Sequence, residues 1–275
     1  MAKNATDSTA LKEIALNLRK KIIEISYISK AHHVGSELSC IDILVSLYFK
    51  IMNIYPKEPS HPDRDYFILS KGHAALALYV TLMEKGFFSE NFLKKEFLSD
   101  GGQLGGHPDK DLEKGIEISS GSLGQGLAIG AGIALINKKD KKKNRTFVLL
   151  GDGECNEGMI WETALFAAHQ KLDNLLGIID YNKLQGLGST TKIMNLEPLK
   201  EKFESFGWNV QVVDGHDIGL ITTSIEKIFL QKNKPNLIIA NTVKGKGVSF
   251  MENRFESHYE VLDKKKYEEA IEKLK

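Results

Sequence analysis

Phe147-Val148-Leu149-Leu150-Gly151-Asp152-Gly153-Glu154 runs from a short apolar stretch straight into a carboxylate with a glycine on either side. The apolar stretch has the length and composition of a buried parallel strand. The glycines let the backbone turn sharply and come close to a ligand, while the aspartate points out from the sheet edge. A helix is expected over Glu157 to Gln170, starting near Asn156 or Glu157, so that its free N–H groups and dipole lie beside that carboxylate. A second apolar run, Leu175 to Asp180, then ends in Tyr181-Asn182-Lys183. Asp152 and Asn182 would thus top two successive strands of one βαβ unit. Parallel neighbours lie ~4.8 Å apart, so an Asp oxygen and an Asn oxygen could share one hard cation. With a backbone carbonyl from the turn and two phosphate oxygens, a six-oxygen magnesium shell needs only one water. Taken singly, GDG is commonly a β-turn, and Asn after a strand commonly caps a helix or closes an Asx-turn. Taken together, the order strand, GDG, helix, strand, Asn points to a metal diphosphate.

The same grammar extends outward. Tyr66 to Leu69, Thr146 to Leu150, Leu175 to Asp180, Asn209 to Val213 and Leu237 to Thr242 read as buried strands rich in Val, Ile and Leu. Between them lie helix-length stretches with apolar residues at three and four spacing, among them Leu196 to Phe206 and Ile218 to Leu230. The alternation predicts an α/β fold: a doubly wound, mostly parallel sheet with helices on both faces, and ligands beyond the C-terminal ends of the strands. No internal repeat or low-complexity linker divides the chain, so residues 1–275 read as one domain.

Composition narrows the function classes. The 37 Lys and Arg against 36 Asp and Glu leave a formal charge of +1, which argues against capture of nucleic acid or an anionic membrane as the main task. The charged N-terminus, MAKNATDSTALKEIALNLRKK, lacks the apolar core of a signal peptide. Leu127 to Ile136, the most lipid-like stretch, is far short of the ~20 apolar residues of a membrane helix. Cys40 and Cys155 are the only cysteines, so no disulfide framework or four-cysteine zinc site is possible and a reducing cytoplasm is the simpler compartment.

The stretch from Gly151 to Gln185, GDGECNEGMIWETALFAAHQKLDNLLGIIDYNKLQ, resembles the thiamine diphosphate motif, with wording nearest to transketolases. Further segments agree in the family's order. Ala31-His32-His33-Val34-Gly35 resembles SGHPG, and Asp63 to His73 resembles DRDRFVLSKGH. Gly106-His107-Pro108 resembles GHPE with Asp109 for Glu, and Gly121 to Leu127 resembles GPLGQGL with Ser122 for Pro. Val243 to Asn253 resembles KGKGVSFMEN. The likeness spans nearly the whole chain. Two places depart from it: the family often reads Trp-His where this chain has Ser257-His258-Tyr259, and Lys183 to Gly188 differs from the common wording.

The resemblance implies roles. Asp152, Asn182 and the main-chain carbonyl of Leu184 would hold Mg2+ or another divalent cation such as Ca2+. Gly153, His73 and His258 would contact the diphosphate, and Gly121 and Leu123 would border the cofactor's rings. His33, His107 and His258 would line the channel for sugar hydroxyls, where imidazoles can exchange protons near neutral pH; His33, His73, His107 and Glu157 are the candidate catalytic residues. Glu157 would lie near the cofactor across a subunit interface. The implied reaction moves a two-carbon glycolaldehyde unit from a ketose to an aldose, sugars or sugar phosphates. The family's essential glutamate lies in a second, pyrimidine-binding domain, and the sequence after Asn253 reads as a short tail with an amphipathic helix over Lys264 to Lys275. The expectation is therefore the N-terminal subunit of a split transketolase, active with a C-terminal subunit in an α2β2 heterotetramer. Alternatives are a deoxyxylulose phosphate synthase-like or 2-oxo acid dehydrogenase-like subunit, or an orphan cofactor-binding module.

Plainer readings cover other residues. His61, His169 and His216 read as surface or satisfied core histidines, and Glu157 could only complement a helix dipole. Cys155 reads as a small turn filler in preference to an acidified thiol. Gly124, Gly126, Gly130 and Gly132 could simply permit close helix packing, and Lys138 to Arg145 reads as a solvated helix end and loop. The sequence holds no complete dinucleotide fingerprint, P-loop, HExxH, paired CxxC or GxSxG elbow.

Overall fold

The computed structural model describes residues 8–274; Met1 to Asp7 of the N-terminal reading and Lys275 of the last expected helix lie outside the described residues. In chain order the strands are β1 (Tyr66–Leu69), β2 (Thr146–Gly151), β3 (Leu175–Tyr181), β4 (Leu184–Gln185), β5 (Gly188–Ser189), β6 (Asn209–Asp214) and β7 (Asn236–Asn241). Five of them form one parallel sheet in the order β1-β2-β3-β7-β6, and β4 and β5 form a small antiparallel hairpin beyond the end of β3. The helices are α1 (Ser8–Ser29), α2 (Val34–Ser39), α3 (Ile41–Ser46), α4 (Ala75–Lys85), α5 (Glu90–Glu96), α6 (Gln125–Lys139), α7 (Gly158–His169), α8 (Thr190–Ile193), α9 (Leu199–Ser205), α10 (Ile218–Ile228) and α11 (Lys264–Lys273).

Side chains alternate across a strand, so a strand covered on both faces must be apolar throughout. β2 is buried at every position and β3 at all but Tyr181. Phe67, Leu69, Phe147, Leu149, Leu176 and Ile178 pack with α1 to α4 and α10. Ile68, Val148, Leu150, Leu175 and Ile179 pack on the other face with α6, α7 and α9. β6 alternates buried and more exposed residues, as an edge strand does. The doubly wound sheet predicted from the sequence is the fold observed.

The strand boundaries agree with expectation within a residue. The helices are shorter. Pro198 stands at the N-cap of α9, which therefore starts at Leu199 and not Leu196. α7 starts at Gly158, within a residue of the expected Glu157, and an unanticipated 3-10 turn over Gly153–Asn156 fills the stretch before it. Asp152 caps that tight turn. Gly126 and Gly130 let α6 close on the sheet: a Cβ would lie 2.5 Å from Ser70 Cβ at the first and 2.5 Å from Val148 Cγ2 at the second. Gly124 combines a left-handed cap at φ 85° with a close approach, a Cβ there falling 2.8 Å from Glu157 Cβ, whereas Gly132 has open space and close packing does not explain it.

The loop entering β2 also differs from expectation. Lys138 pairs with Asp173 and Lys141 to Lys143 are exposed, but Asn144 is buried and donates to the carbonyls of Pro62 and Arg64 at 2.7 and 2.6 Å. Arg145 is tied to Asp65 through its backbone N–H at 2.8 Å and its guanidinium at 2.7 Å. This N-terminal edge is bolted shut. At the opposite edge, β1 delivers Ser70, Lys71 and His73, β2 delivers Asp152, β3 delivers Asp180 and Asn182, and β7 is followed by Thr242 and Lys244. Among the described residues no helix is long and apolar enough to cross a membrane.

Candidate active site

The C-terminal edge of the sheet opens into a cavity of about 290 Å3 lined by Ser36, Lys71, His73, Asp152, Asn182, Lys244 and His258, with Leu123, Gly153, Glu154, the β4–β5 hairpin and Tyr259 completing its wall. Its floor is an ion pair. Lys71 is almost fully buried; its Nζ donates to the Ser36 carbonyl at 3.0 Å and pairs with Asp180, which also accepts from Ser39 at 2.5 Å and from Thr242. Burial alone would lower the lysine and raise the acid, but the partner charge overrides it on each side. Lys71 is held above and Asp180 below its ordinary range.

Lys244, also buried, has no carboxylate partner among the described residues. Its Nζ donates to Ser36 Oγ at 3.0 Å and to His258 Nδ1 at 3.2 Å. Burial, with Lys71 nearby, lowers its pKa to about 8. The same burial, with Lys244 beside it, lowers His258 to about 3. Because Nδ1 of His258 accepts from a lysine, the neutral ring is assigned its proton on Nε2.

Asp152 is buried at the tip of β2. Its Oδ1 accepts from the Gly153 N–H at 2.7 Å and its Oδ2 from the Lys183 N–H at 2.5 Å. Burial, and then the charge of Asp180, raise its pKa to about 7 despite those two bonds. A carboxylate offers about four acceptor sites, so part of its demand is unmet. Asn182, one position beyond the paired β3 end, accepts from the Leu184 N–H at 3.1 Å through Oδ1, the Asx-turn that the plainer reading of this residue expected. Leu184 lines the same cavity. Gln185, which also lines the cavity, keeps its Nε2 buried without a partner. A Cβ on Gly153 would stand 2.8 Å from Gln185 Cγ, which is why glycine suits the turn under the hairpin.

This donor set fits a diphosphate bridged to a divalent cation. One unsatisfied carboxylate, an amide and turn carbonyls suit a hard metal ion, while Lys244, His258, His73 and the free amide of Gln185 suit phosphate oxygens. Among the described residues no three His, Cys, Asp or Glu side chains converge as a metal site, so the ion would rest on Asp152 with amide and carbonyl oxygens.

His73 and His258 line the cavity, while His33 and His107, expected in the sugar channel, cluster with them without being among its lining residues. His33, in a left-handed conformation at φ 72°, lies with its ring 5.5 Å from His73, 6.0 Å from His107 and 4.7 Å from His258. Burial, and then His107, lower His33 to about 4; burial, and then Lys71, hold His73 well below its usual value. Such rings stay neutral at pH 7, able to donate and accept hydrogen bonds. His32 is exposed and its Nδ1 bonds the Tyr259 carbonyl at 2.8 Å, so His33 is the ring in the cluster. Gly121, at φ 146°, leaves space for His107, whose Cδ2 would lie 3.0 Å from a Cβ there.

Glu157 is exposed at the N-cap of α7 and does not line the cavity. Cys155 is fully buried with its thiol raised by burial, which excludes an acidified thiol and leaves the filler. His216 is a satisfied histidine, bonded to Asp42 and to the Val243 N–H at 2.8 Å each. Sequence reasoning passed over Lys71, Lys244 and Glu154. The last, buried under the turn, accepts from Ser70 and from the N–H groups of Gly124 at 2.8 Å and Gly151 at 3.0 Å, knitting three loops together. All three sit inside quoted motif segments, and that was the available signal.

Residues 12–275 match the family described as transketolase, thiamine diphosphate binding domain. The chain is 43% identical over 258 residues to an apulose-4-phosphate transketolase subunit of Phocaeicola vulgatus, covering 93% of this chain and 90% of that protein. It is 42% identical over 242 residues to the 6-deoxy-6-sulfo-D-fructose transketolase subunit SqwG of a Clostridium species, covering 88% of each. Transketolase from Pichia stipitis in complex with sedoheptulose-7-phosphate superposes with a TM-score of 0.89 at 28% identity, over 98% of this chain and 41% of that one. The chain therefore spans about two fifths of that solved structure's length.

Proposed function

The chain belongs to the transketolase family, and on that premise we propose that it is the N-terminal, diphosphate-binding subunit of a split transketolase. It is a transferase subunit that binds thiamine diphosphate. A separate C-terminal subunit would bring the pyrimidine-binding domain, with two copies of each in an α2β2 assembly. The relatives at 43% and 42% identity are themselves named as transketolase subunits and are matched over about nine tenths of their length, which supports the split. Two buried free cysteines fit a reducing cytoplasm.

One observation carries the reading: a buried carboxylate raised to about 7, with acceptor capacity to spare, and a buried amide donor without a partner line the same cavity, floored by lysines. Asp152, Asn182 and the Leu184 carbonyl would hold Mg2+ or a similar ion. Gly153, His73, Lys244 and His258 would hold the diphosphate, with Gly121 and Leu123 beside the rings. When bound, thiamine diphosphate supplies the nucleophilic carbon and the electron sink that let the carbon–carbon bond of a ketose break. The chain's own residues orient and exchange protons. His33, as a neutral imidazole, and His107 would hold the sugar's hydroxyls and carbonyl oxygen, and His258 would present its Nε2–H to the substrate while Lys244 fixes its other nitrogen. Glu157, outside the cavity and exposed, would act only through a neighbouring subunit.

The substrates would be a ketose or ketose phosphate as donor and an aldose as acceptor. The test is mixing: the purified chain alone should lack ketol transfer and gain it with the C-terminal subunit. Full activity of the chain alone would overturn the split.

A further inference from the structure

The two places where the sequence departs from the usual family wording touch each other. Tyr259 follows His258, and its ring lies 4.6 Å from that of His258 at 82° and 6.0 Å from that of His33. Across the mouth of the cavity stands Gly186 of the hairpin; a Cβ there would fall 3.1 Å from Tyr259 Oη and 3.5 Å from its Cε2. The glycine makes room for the phenol, and the phenol fills what the glycine leaves open. The Tyr259 backbone is pinned by the bond from its carbonyl to His32, and the His33 N–H donates to the His258 carbonyl at 2.9 Å, so the ring is carried on a fixed segment. The side chain is 58% exposed, and among the described residues nothing hydrogen-bonds its hydroxyl. An aromatic ring with a free polar tip, held beside a wall of neutral imidazoles, is suited to a ligand with both C–H faces and hydroxyls.

We propose that Tyr259 is a specificity-determining residue of the sugar channel: its phenol bonds a substrate hydroxyl, and its ring, seated against Gly186, limits the bulk admitted beside His33 and His258. The inference rests on the ketol-transfer reading of the same cavity. Tyr259 has no hydrogen bond to the proposed metal ligands or to Lys244, and of the groups placed on the diphosphate its ring meets only His258, which also faces the sugar, so its main effect falls on the sugar.

The test uses the complete two-subunit enzyme with three ketose donors, apulose 4-phosphate, 6-deoxy-6-sulfo-D-fructose and sedoheptulose 7-phosphate. Tyr259→Phe should raise KM roughly fivefold for the donors used while leaving kcat within about twofold, the size of one lost neutral hydrogen bond. Tyr259→Gly should move the kcat/KM ratio of the seven-carbon donor over the smallest donor by roughly tenfold in favour of the larger, as removal of a steric wall does. The affinity for thiamine diphosphate and the thermal midpoint should stay at wild-type values in both variants. An active wild type whose KM values and donor ratio are unchanged in both variants overturns the inference and leaves the functional reading standing. Equal loss for every donor with weakened cofactor affinity also overturns it, because that is a structural role. A wild-type complex inert toward all three donors overturns the reading and the inference with it.

Discussion

The two edges of the sheet use buried charge in opposite ways. At the N-terminal edge, Asp65 is almost fully buried and saturated: it accepts from the N–H groups of Asn53 at 2.9 Å and Arg145 at 2.8 Å, and from the Arg145 guanidinium at 2.7 Å. At the C-terminal edge, Asp152 is equally buried, half satisfied and raised to about 7, and Lys244 is lowered to about 8 without a counter-ion among the described residues. Saturated charges hold a fold together. Unsatisfied ones cost stability, and they persist where a ligand will complete them. Lys71 and Asp180 show that the difference is satisfaction and not location, since they lie at the C-terminal edge yet neutralise each other.

The largest expected effect comes from breaking the saturated edge. Asp65→Ala leaves Arg145 without its partner and should destabilise the chain by about 3 kcal/mol or more, read as a shifted denaturant midpoint, with the affinity for thiamine diphosphate in surviving native protein unchanged. Next, Asp152→Asn should weaken metal-dependent binding of thiamine diphosphate by roughly 100-fold, since even outer-shell partners of a metal are worth 10- to 100-fold. The ligand-free variant should be at least as stable as wild type at pH 7. The sign follows from the raised pKa: between 3.8 and about 7 the native state holds a proton that the unfolded state has lost. Wild type therefore loses stability as pH rises through that window and the Asn variant does not, a contrast that melting curves at pH 5 and pH 7.5 would show.

A smaller effect is expected at Lys244. Lys244→Met should weaken the cofactor roughly tenfold, as loss of one charge-assisted contact does. In wild type the free lysine loses its proton above about 8 whereas a bound diphosphate would keep it charged, so affinity should fall as pH rises from 8 to 9. Calorimetry in buffers of different ionisation heat should register proton uptake there, and the Met variant should show none.

Much of this was legible in the sequence because it is written in short-range pattern. β1 falls on the expected Tyr66 to Leu69 and β7 one residue before its expected span, since Val, Ile and Leu runs closed by turns leave little freedom. The placement of Asp152 and Asn182 on adjacent strand ends followed from that pattern alone. The 3-10 turn between Asp152 and α7 did not, because its 4 residues are too few to show a period. Lys71 and Lys244 were missed for another reason: lysine is almost always exposed, and only Asp180, Ser36 and His258, brought from distant segments, make burial tolerable. The contact of Tyr259 with Gly186 joins two loops that no local signal connects.

On the proposed reading, the C-terminal edge is an incomplete charge cluster awaiting a metal diphosphate. Calorimetric titration of thiamine diphosphate into the purified chain with Mg2+ present tests it most directly. Saturable binding at one site per chain is expected, lost on chelation of the metal and in Asp152→Asn. Absence of binding, or binding indifferent to both the metal and that substitution, would contradict it.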